Sequence, residues 1–273
     1  MKSDRHLFLY HAGCWDGFCA AWVHHCHPRP ADWPPISYIP VQYGEDPPYV
    51  KGAIVTIADF CYPRPVLGTM IADAAKLIVL DHHPTAMECD GMKGVTITIG
   101  KSGARMMCEA LGMTPHWLVD YTEDRDLWRH ALPHSREVNA ALRSYPLDFE
   151  TWDYLAKMEP GNLIDFGAAI LRSEEALVRQ HVSKAVTTVI AGHAVRMVNA
   201  TMLMSEIGHA LAQDHPFGAT YFINAKGQAV VSLRSREEGL DVSEIARQFP
   251  GGGGHKHAAG FAIDYPGGIL MIP

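Results

Sequence analysis

The amino-acid sequence predicts an α/β protein: an N-terminal parallel-sheet domain and a smaller C-terminal α/β domain, joined by a helical linker. Short, continuous apolar runs alternate with helix-compatible stretches through the first half of the chain. Residues 145–186 carry a helical pattern, and the remainder is rich in apolar runs broken by glycine. Continuous apolar strands separated by helices are typical of a parallel sheet that is covered on both faces.

The predicted elements of the first domain alternate along the chain. Strands are expected at 7–10 and in ISYIPVQYG, AIVTIADF, KLIVLDHH and GVTITIG, and helices at 18–25, 66–75 and in SGARMMCEALG. Ser102 is placed to cap the last of these helices. Ligands of such sheets lie at the carboxyl ends of the strands, where His11, Asp59 and Asp81 fall.

The predicted boundaries are 1–150 for the parallel-sheet domain, 151–187 for the helical linker and 188–273 for the second domain. Within the second domain, NAKGQ between two apolar runs predicts a hairpin turn. The segment DVSEIARQF predicts a short helix that Asp241 or Ser243 caps.

Composition and charge argue against several classes of protein. The chain has 273 residues, 48% of them hydrophobic and 19% charged, and a formal net charge of -7. That charge disfavours binding to duplex DNA, which normally needs a broad basic surface, but allows a small phosphorylated ligand. The six cysteines form no C-x-x-C pair, and no apolar run resembles a signal peptide or a membrane span. We therefore expect a cytoplasmic protein with reduced thiols and no membrane partner, in an oligomeric state that the sequence leaves open.

Four segments carry acidic or imidazole groups that chemistry could use. They are HAGCWDG (His11, Cys14, Asp16), IADF (Asp59), DHH (Asp81, His82, His83) and TEDRDLW (Asp124, Asp126). Each segment alone is weak, because strand-end histidines and aspartates are often structural. Together they predict a mixed oxygen and nitrogen site for divalent ions, Mn²⁺ first, with Mg²⁺, Co²⁺, Fe²⁺ or Zn²⁺ as alternatives. Several carboxylates favour two ions, the arrangement that activates water against a phosphoryl group.

The same motifs resemble those of a known family. Asp81, His82 and His83 match the triplet of the DHH phosphoesterases, and HAGCWDG stands where that family has a His followed by Asp-x-Asp. GGGGHKHAAGF resembles the glycine-rich segment of the accessory domain called DHHA1, and VVSLRS with Arg234 fits the same domain. On these residues the chain is identified as a member of the DHH/DHHA1 family along nearly its whole length.

The resemblance implies roles for individual residues. It makes metal ligands of His11, Asp16, Asp59, His82 and Asp124, with Asp59 shared between two ions. Asp81 either binds metal or orients a neighbour, and His83 lies near the phosphate or behind the ligands. Of the two aspartates in TEDRDLW we favour Asp124, because it closely follows the apolar stretch WLVDY, although Asp126 could take its place.

Cys14 departs from the family pattern, which has an aspartate at this position. Three interpretations remain open: a thiolate ligand that favours zinc or iron, a residue outside the coordination sphere, or a site with one strongly and one weakly bound ion. The second is slightly favoured.

The second domain is expected to contact the substrate. The glycine run exposes backbone N–H groups that could wrap an anion, the more so if a helix follows it. The resemblance implies substrate binding by Gly251, Gly252, Gly253, Gly254, His255 and Arg234, with His255, Arg234 and His83 taking part in catalysis.

These residues predict a metal-dependent phosphodiesterase or exonuclease-type hydrolase, similar to the nanoRNase and oligoribonuclease members of the family. We expect it to act on short oligonucleotides or small phosphorylated nucleotides, with Trp15, Phe60, Tyr62 and Trp128 available to stack on bases. One alternative is a relative that binds metal or nucleotide but has lost catalysis through Cys14. Another is a redox or zinc-regulatory protein, which the cysteine spacing disfavours.

Overall fold

A computed structural model describes residues 5–28 and 34–265 of the chain. The chain divides into two compact units, Met1–Leu171 and Arg172–Pro273. The division falls inside one long helix, within the range 151–187 that the sequence assigns to a linker. The end of the predicted second domain, residues 266–273, lies outside the described residues.

The first unit is built on a five-stranded sheet in which every strand runs parallel to its neighbours. Its strands are β1 (His6–His11), β2 (Ile36–Val41), β3 (Ile54–Ala58), β4 (Lys76–Asp81) and β5 (Val95–Ile97). Their order in the sheet is β2-β1-β3-β4-β5. The predicted parallel sheet is therefore confirmed, and the direction of winding reverses between β1 and β3.

Side chains alternate between two apolar layers, which explains why the strands read as continuous apolar runs. Phe8 packs into the layer on one face of the sheet, while Leu7 and Leu9 pack into the layer on the other. Ala58 and Ile57 at the end of β3 divide in the same way. Because both faces are buried, most of these side chains are apolar; the buried polar pair His6 and Thr56 is joined by a 3.4 Å contact between His6 Nε2 and Thr56 Oγ1.

Helices cover this sheet and form the rest of the first unit. They are α1 (Trp15–Cys26), α2 (Arg64–Asp73), α3 (Gly103–Ala110), α4 (Trp117–Asp126), α5 (Ser135–Leu142), α6 (Phe149–Leu155) and the start of α7 (Ile164–Lys184), with 3₁₀ turns at Pro84–Cys89 and Pro160–Leu163. Ser102 caps α3 as predicted, since its hydroxyl accepts a hydrogen bond from Arg105 N–H. Sequence reasoning did not predict α5.

The second unit carries a mixed six-stranded sheet with the order β10-β11-β9-β8-β7-β6. Its elements are β6 (Val186–Ile190), β7 (His193–Asn199), α8 (Met204–Leu211), β8 (Gly218–Ile223), β9 (Gln228–Arg234), α9 (Val242–Ala246), β10 (Gly253–His255) and β11 (Ala258–Asp264). The predicted hairpin joins β8 to β9, where the Asn224 side chain accepts hydrogen bonds from Lys226 N–H and Gln228 N–H. Asp241, rather than Ser243, caps α9. Helix α8 was not predicted.

Among the described residues, no helix combines the length and the apolar character that crossing a bilayer requires.

Two helical glycines make a matched pair for testing the packing of the first unit. A Cβ on Gly167 in α7 would lie 1.7 Å from the Glu137 carbonyl oxygen, whereas one on Gly68 in α2 would meet nothing within 4 Å. We expect Gly167→Ala to lower the free energy of unfolding by about 1–3 kcal/mol, because the backbone of α5 must move. Gly68→Ala should raise it by about 0.5–1 kcal/mol through helix propensity. Urea denaturation of both variants checks this; equal shifts would contradict the close approach of α7 to α5.

Candidate metal centre

The candidate site lies at the carboxyl ends of the central strands of the first unit. His11 is the last residue of β1, Asp59 directly follows β3, and Asp81 ends β4 just before His82 and His83. The winding of the sheet reverses between β1 and β3. A crevice forms outside the strand ends at such a reversal, so the fold places these side chains where parallel sheets hold their ligands.

The imidazole of His82 is surrounded by three carboxylates. Its Nε2 lies 3.1 Å from Asp59 Oδ1, 3.5 Å from Asp126 Oδ2 and 3.8 Å from Asp16 Oδ2. His82, Asp59 and Asp16 are almost completely buried. Three carboxyl groups around one buried imidazole create a site of negative electrostatic potential that suits a divalent cation.

Asp59 reaches two groups of donor atoms with its two oxygens. While Oδ1 contacts His82, Oδ2 lies 3.8 Å from Nδ1 of His11, too far for a hydrogen bond. Both Asp59 Oδ2 and His11 Nδ1 are buried, and neither has a hydrogen-bond partner within the part of the chain that the structure describes. Asp59 also adopts a left-handed backbone conformation with φ 54°. Buried, unsatisfied donor atoms that face each other at this distance fit an ion between them.

Asp81 and His83 form a supporting pair. Asp81 Oδ1 accepts hydrogen bonds from the His83 ring Nδ1 at 2.7 Å and from the His82 backbone N–H at 2.8 Å. Burial alone would lower the pKa of His83, but the hydrogen bond to Asp81 raises it. Asp81 Oδ2 is buried without a hydrogen-bond partner among the described residues, and Asp81 falls within a group of potential metal ligands with Asp59, His82 and His83, so the geometry is compatible with both roles that the sequence left open for Asp81.

Asp16 connects the cluster to the N-terminus of α3. Its Oδ2 accepts from Gly103 N–H at 2.6 Å and its Oδ1 from Ala104 N–H at 3.0 Å. A Cβ on Gly103 would lie 2.8 Å from Asp59 Cβ and 3.0 Å from Asp16 Oδ2, so only glycine lets α3 approach this closely. The helix terminus thereby holds the Asp16 carboxylate in place and favours its negative charge. Sequence reasoning missed Gly103, although a glycine directly after a helix cap is a usable signal.

The structure separates the two aspartates of α4 by position. Asp126 lies beside His82, whereas Asp124 points to the following loop, where its oxygens accept from Ala131 N–H at 2.9 Å and Leu132 N–H at 3.3 Å. Asp124 thus caps a loop, and Asp126 is the residue of α4 that joins the cluster. The two side chains diverge because positions two apart lie on different sides of a helix.

Cys14 also faces the cluster. Its Sγ and ligand atoms of His11 and Asp59 all lie within 4.8 Å of one another. Burial raises the pKa of the Cys14 thiol, and the charges of Asp59, Asp126 and Asp16 raise it further. All six cysteines of the chain are free in the structure.

Burial and the charges of neighbouring groups together set the protonation of the cluster. Burial favours neutral His82, but the hydrogen bond to Asp59 and the charges of Asp126 and Asp16 raise the pKa of His82 to about 10. Burial, followed by the charge of Asp59, raises the pKa of Asp16 well above its usual value, and burial raises that of Asp126 to about 6. Burial opposes ionisation of Asp59 as well, yet its contacts with His11 and His82 hold the pKa of Asp59 below its usual range. Divalent cations would relieve this repulsion, so the donor set fits metal.

Two donor groups that share no residue can be distinguished within the cluster, beside a group of Asp59, Asp81, His82 and His83 that overlaps both. One consists of His11, Cys14 and Asp59; the other of Asp16, His82 and Asp126. Asp59 contacts His82 of the second group through its other oxygen. The arrangement therefore fits two ions that share one carboxylate.

In the second unit, the glycine run does not lead into a helix. Gly253, Gly254 and His255 form β10, which pairs antiparallel with β11. A Cβ on Gly252 would lie 2.0 Å from the Ala246 carbonyl oxygen, so this glycine is needed for packing against α9. The glycine run continues as a strand of a hairpin, so no helix N-terminus follows it to add to the binding of an anion.

Arg234 lies at the end of β9, between β8 and β11. Its guanidinium donates to Ser205 Oγ at 2.9 Å and to its neighbour's carbonyl oxygen, Leu233 O, at 2.8 Å. Its aliphatic stem passes Gly208 of α8. His257 Nδ1 is hydrogen-bonded to Ser235 Oγ at 2.9 Å, so this side chain has a structural role.

The aromatic residues predicted to stack on bases differ in how far they are buried. Phe60 and Tyr62 are buried, which removes their ring faces from a ligand, while Trp15 and Trp128 are partly exposed. Tyr43 was missed: its half-exposed ring lies 5.3 Å from His11 and 4.5 Å from Phe60. Because Tyr43 closely follows β2, the rule that directed attention to strand ends could have found it.

Comparisons with known proteins agree with the motifs. Residues 181–269 match the DHHA1 domain family. The chain is 28% identical over 299 residues to uncharacterized protein R106 of Acanthamoeba polyphaga mimivirus, covering 98% of this chain and 70% of the viral protein. It is 35% identical over 103 residues to oligoribonuclease NrnB of Bacillus subtilis (strain 168), but this covers 36% of the chain and 26% of NrnB.

A solved structure has a similar fold. RecJ from Thermus thermophilus, determined in complex with Mn²⁺, matches with a TM-score of 0.52 and 14% sequence identity, covering 96% of this chain and 50% of RecJ. At that identity the likeness concerns the fold alone. Residues 181–269 therefore belong to the DHHA1 domain family, and the triplet at the end of β4, the NrnB alignment and the shared fold support a DHH/DHHA1 family phosphoesterase.

Proposed function

We propose that the protein is a metal-dependent hydrolase that cleaves phosphoester bonds in short oligonucleotides or small phosphorylated nucleotides. The observation that carries the proposal is the buried Asp59 carboxylate, which connects two groups of metal-binding side chains at the carboxyl edge of the sheet. Two ions in such a site would activate water and neutralise charge on the phosphoryl oxygens.

Under this proposal, five side chains hold the ions: His11, Asp16, Asp59, His82 and Asp126. Asp126 takes the place first given to Asp124. Asp16 remains fixed by the N-terminus of α3, and Asp59 by its contact with His82. These buried contacts pre-organise the ligands, so that little rearrangement is needed when metal binds.

His83 is proposed to act on the substrate rather than on the metal. Asp81 holds its Nδ1 and fixes the ring orientation. We propose that the other ring nitrogen, Nε2, donates a hydrogen bond to the phosphate or the leaving group.

The second unit is proposed to bind substrate through Arg234, His255 and the backbone of Gly251, Gly252, Gly253 and Gly254. A guanidinium suits a phosphate because its parallel N–H groups bind two oxygens at once. The match of this unit to the DHHA1 domain supports the assignment.

Three observations favour a small substrate. The formal net charge of -7 disfavours a long polyanion. NrnB, which aligns with part of the chain, is named an oligoribonuclease. The Tyr43 ring lies 5.3 Å from the His11 ring, beside the candidate metal ligands, where it would be available to stack on a base.

The activity is tested with purified protein that has been stripped with a chelator. We expect no hydrolysis until Mn²⁺ is restored, and faster cleavage of a dinucleotide than of a long RNA; a 3′,5′-bisphosphorylated adenosine tests phosphomonoesterase action. His82→Ala and Asp59→Ala should lose more than about 100-fold in rate, above the 10–100-fold that loss of an outer-shell partner costs. Product chromatography measures each reaction. No turnover of any substrate with any added ion would contradict an enzyme and favour a binding protein.

A second test separates the two aspartates of α4. Asp126→Ala should weaken Mn²⁺ binding by at least about tenfold while leaving the free energy of unfolding nearly unchanged. Asp124→Ala should lower the free energy of unfolding by about 1–3 kcal/mol, since two backbone N–H groups lose a charged acceptor. Calorimetric titration and urea denaturation give the two quantities. The reverse pattern would return the ligand role to Asp124.

A third test concerns substrate binding by Arg234. Arg234→Lys keeps the charge but loses the paired N–H groups, so KM for a dinucleotide should rise about 10-fold or more, as expected for a charged hydrogen bond. Arg247→Lys, directly after α9, serves as the matched control, because Arg247 contacts Ser243 of that helix. Equal KM values in both variants would remove Arg234 from the substrate site.

A further inference from the structure

Cys14 occupies a helix-capping position without capping the helix. It precedes α1 with the extended backbone typical of a cap (φ -102°, ψ 131°), but its side chain accepts no hydrogen bond from the helix. Residues at this position normally turn an oxygen toward the first backbone N–H groups. A thiol contributes little to capping, so the residue type at this position needs another explanation.

The donor atoms around Cys14 supply that explanation. Its Sγ lies within 4.8 Å of ligand atoms of both His11 and Asp59. Nδ1 of His11 and Oδ2 of Asp59 are buried, and each lacks a hydrogen-bond partner among the described residues. One nitrogen, one oxygen and one sulfur therefore converge on the same small volume, which is the donor set of a metal site that accepts thiolate.

We propose that Cys14 is a thiolate ligand of the ion held by His11 and Asp59, and that this half of the centre selects thiophilic ions such as Co²⁺ and Zn²⁺. The assignment rests on the metal centre of the proposed function and deepens it. As the Sγ–metal bond forms, the Sγ–H proton is released to solvent. The other half, with Asp16, His82 and Asp126, has two carboxylates and an imidazole and suits harder ions such as Mn²⁺.

The remaining cysteines differ from Cys14 in their surroundings. Cys19, Cys61, Cys89 and Cys108 are buried, and Cys26 is exposed. Among the described residues, Cys14 is the cysteine that falls within a group of potential metal ligands. Cys14 itself is partly buried.

Co²⁺ binding tests the assignment through a spectrum rather than through activity. Chelator-treated protein titrated with Co²⁺ should develop a near-ultraviolet thiolate-to-cobalt charge-transfer band. The intensity of this band should stop rising once the site formed by His11, Cys14 and Asp59 is filled. Cys14→Ser should lose the band and bind Co²⁺ at least about tenfold more weakly, given that even an outer-shell change costs 10–100-fold. Cys26→Ser is the matched control and should keep both.

Cys14→Asp provides a second variant that replaces the thiolate by a hard ligand and guards against misfolding of Cys14→Ser. It should lose the band, retain Mn²⁺ binding and show a lower ratio of Co²⁺ to Mn²⁺ affinity. A charge-transfer band that persists without Cys14, or Co²⁺ binding by the parent protein without any such band, overturns the assignment.

The spectrum also separates this inference from the proposed function. Hydrolysis of a dinucleotide without a thiolate band would leave the phosphoesterase standing and remove Cys14 from the coordination sphere. A Cys14-dependent band without hydrolysis of any substrate would do the opposite. A parent protein that binds no Co²⁺ overturns the thiolate assignment, whatever its activity with other ions.

Discussion

The contacts of the Asp59 carboxylate are the constraint on which the rest of the centre depends. This group is buried, carries charge and stands in a left-handed backbone conformation directly after β3. One oxygen contacts His82, and the other faces His11 across 3.8 Å. Burying an ionised carboxylate is costly unless cations or hydrogen-bond donors surround it. The ends of the neighbouring strands supply imidazoles to Asp59: His11 from the end of β1 and His82 from directly after β4.

Close packing of helices α1 and α3 also fixes the positions of the carboxylates. A Cβ on Gly17 in α1 would lie 3.1 Å from Asp59 Oδ2. A Cβ on Gly103 in α3 would lie 3.0 Å from Asp16 Oδ2. Both helices can consequently approach the sheet edge closely, and the N-terminus of α3 donates to Asp16. Helices α1 and α4 hold Asp16 and Asp126, while Asp59 directly follows the end of β3. Such pre-organisation favours metal binding because few side chains must be ordered on binding.

The chemistry of the cluster is uneven from one side to the other. The side near His11 includes a sulfur atom, whereas the side near His82 has carboxylates and an imidazole. Donor softness is a main determinant of which divalent ions a protein site retains. A cysteine among oxygen and nitrogen donors is therefore expected to bear on which ion such a cluster prefers.

The sequence alone determined the layered α/β architecture and the four segments that supply the centre. Continuous apolar strands can be satisfied only by burial on both faces, and the ends of parallel strands converge whatever the details of packing. Only the tertiary structure decided between Asp124 and Asp126, which lie about 200° apart around α4, so that the packing of the helix selects one of them. It likewise decided that Phe60 and Tyr62 are buried while Tyr43 is exposed, and that the Cys14 thiol faces the cluster instead of capping α1. Which way a side chain faces depends on neighbours distant in the chain, and local sequence carries no record of them.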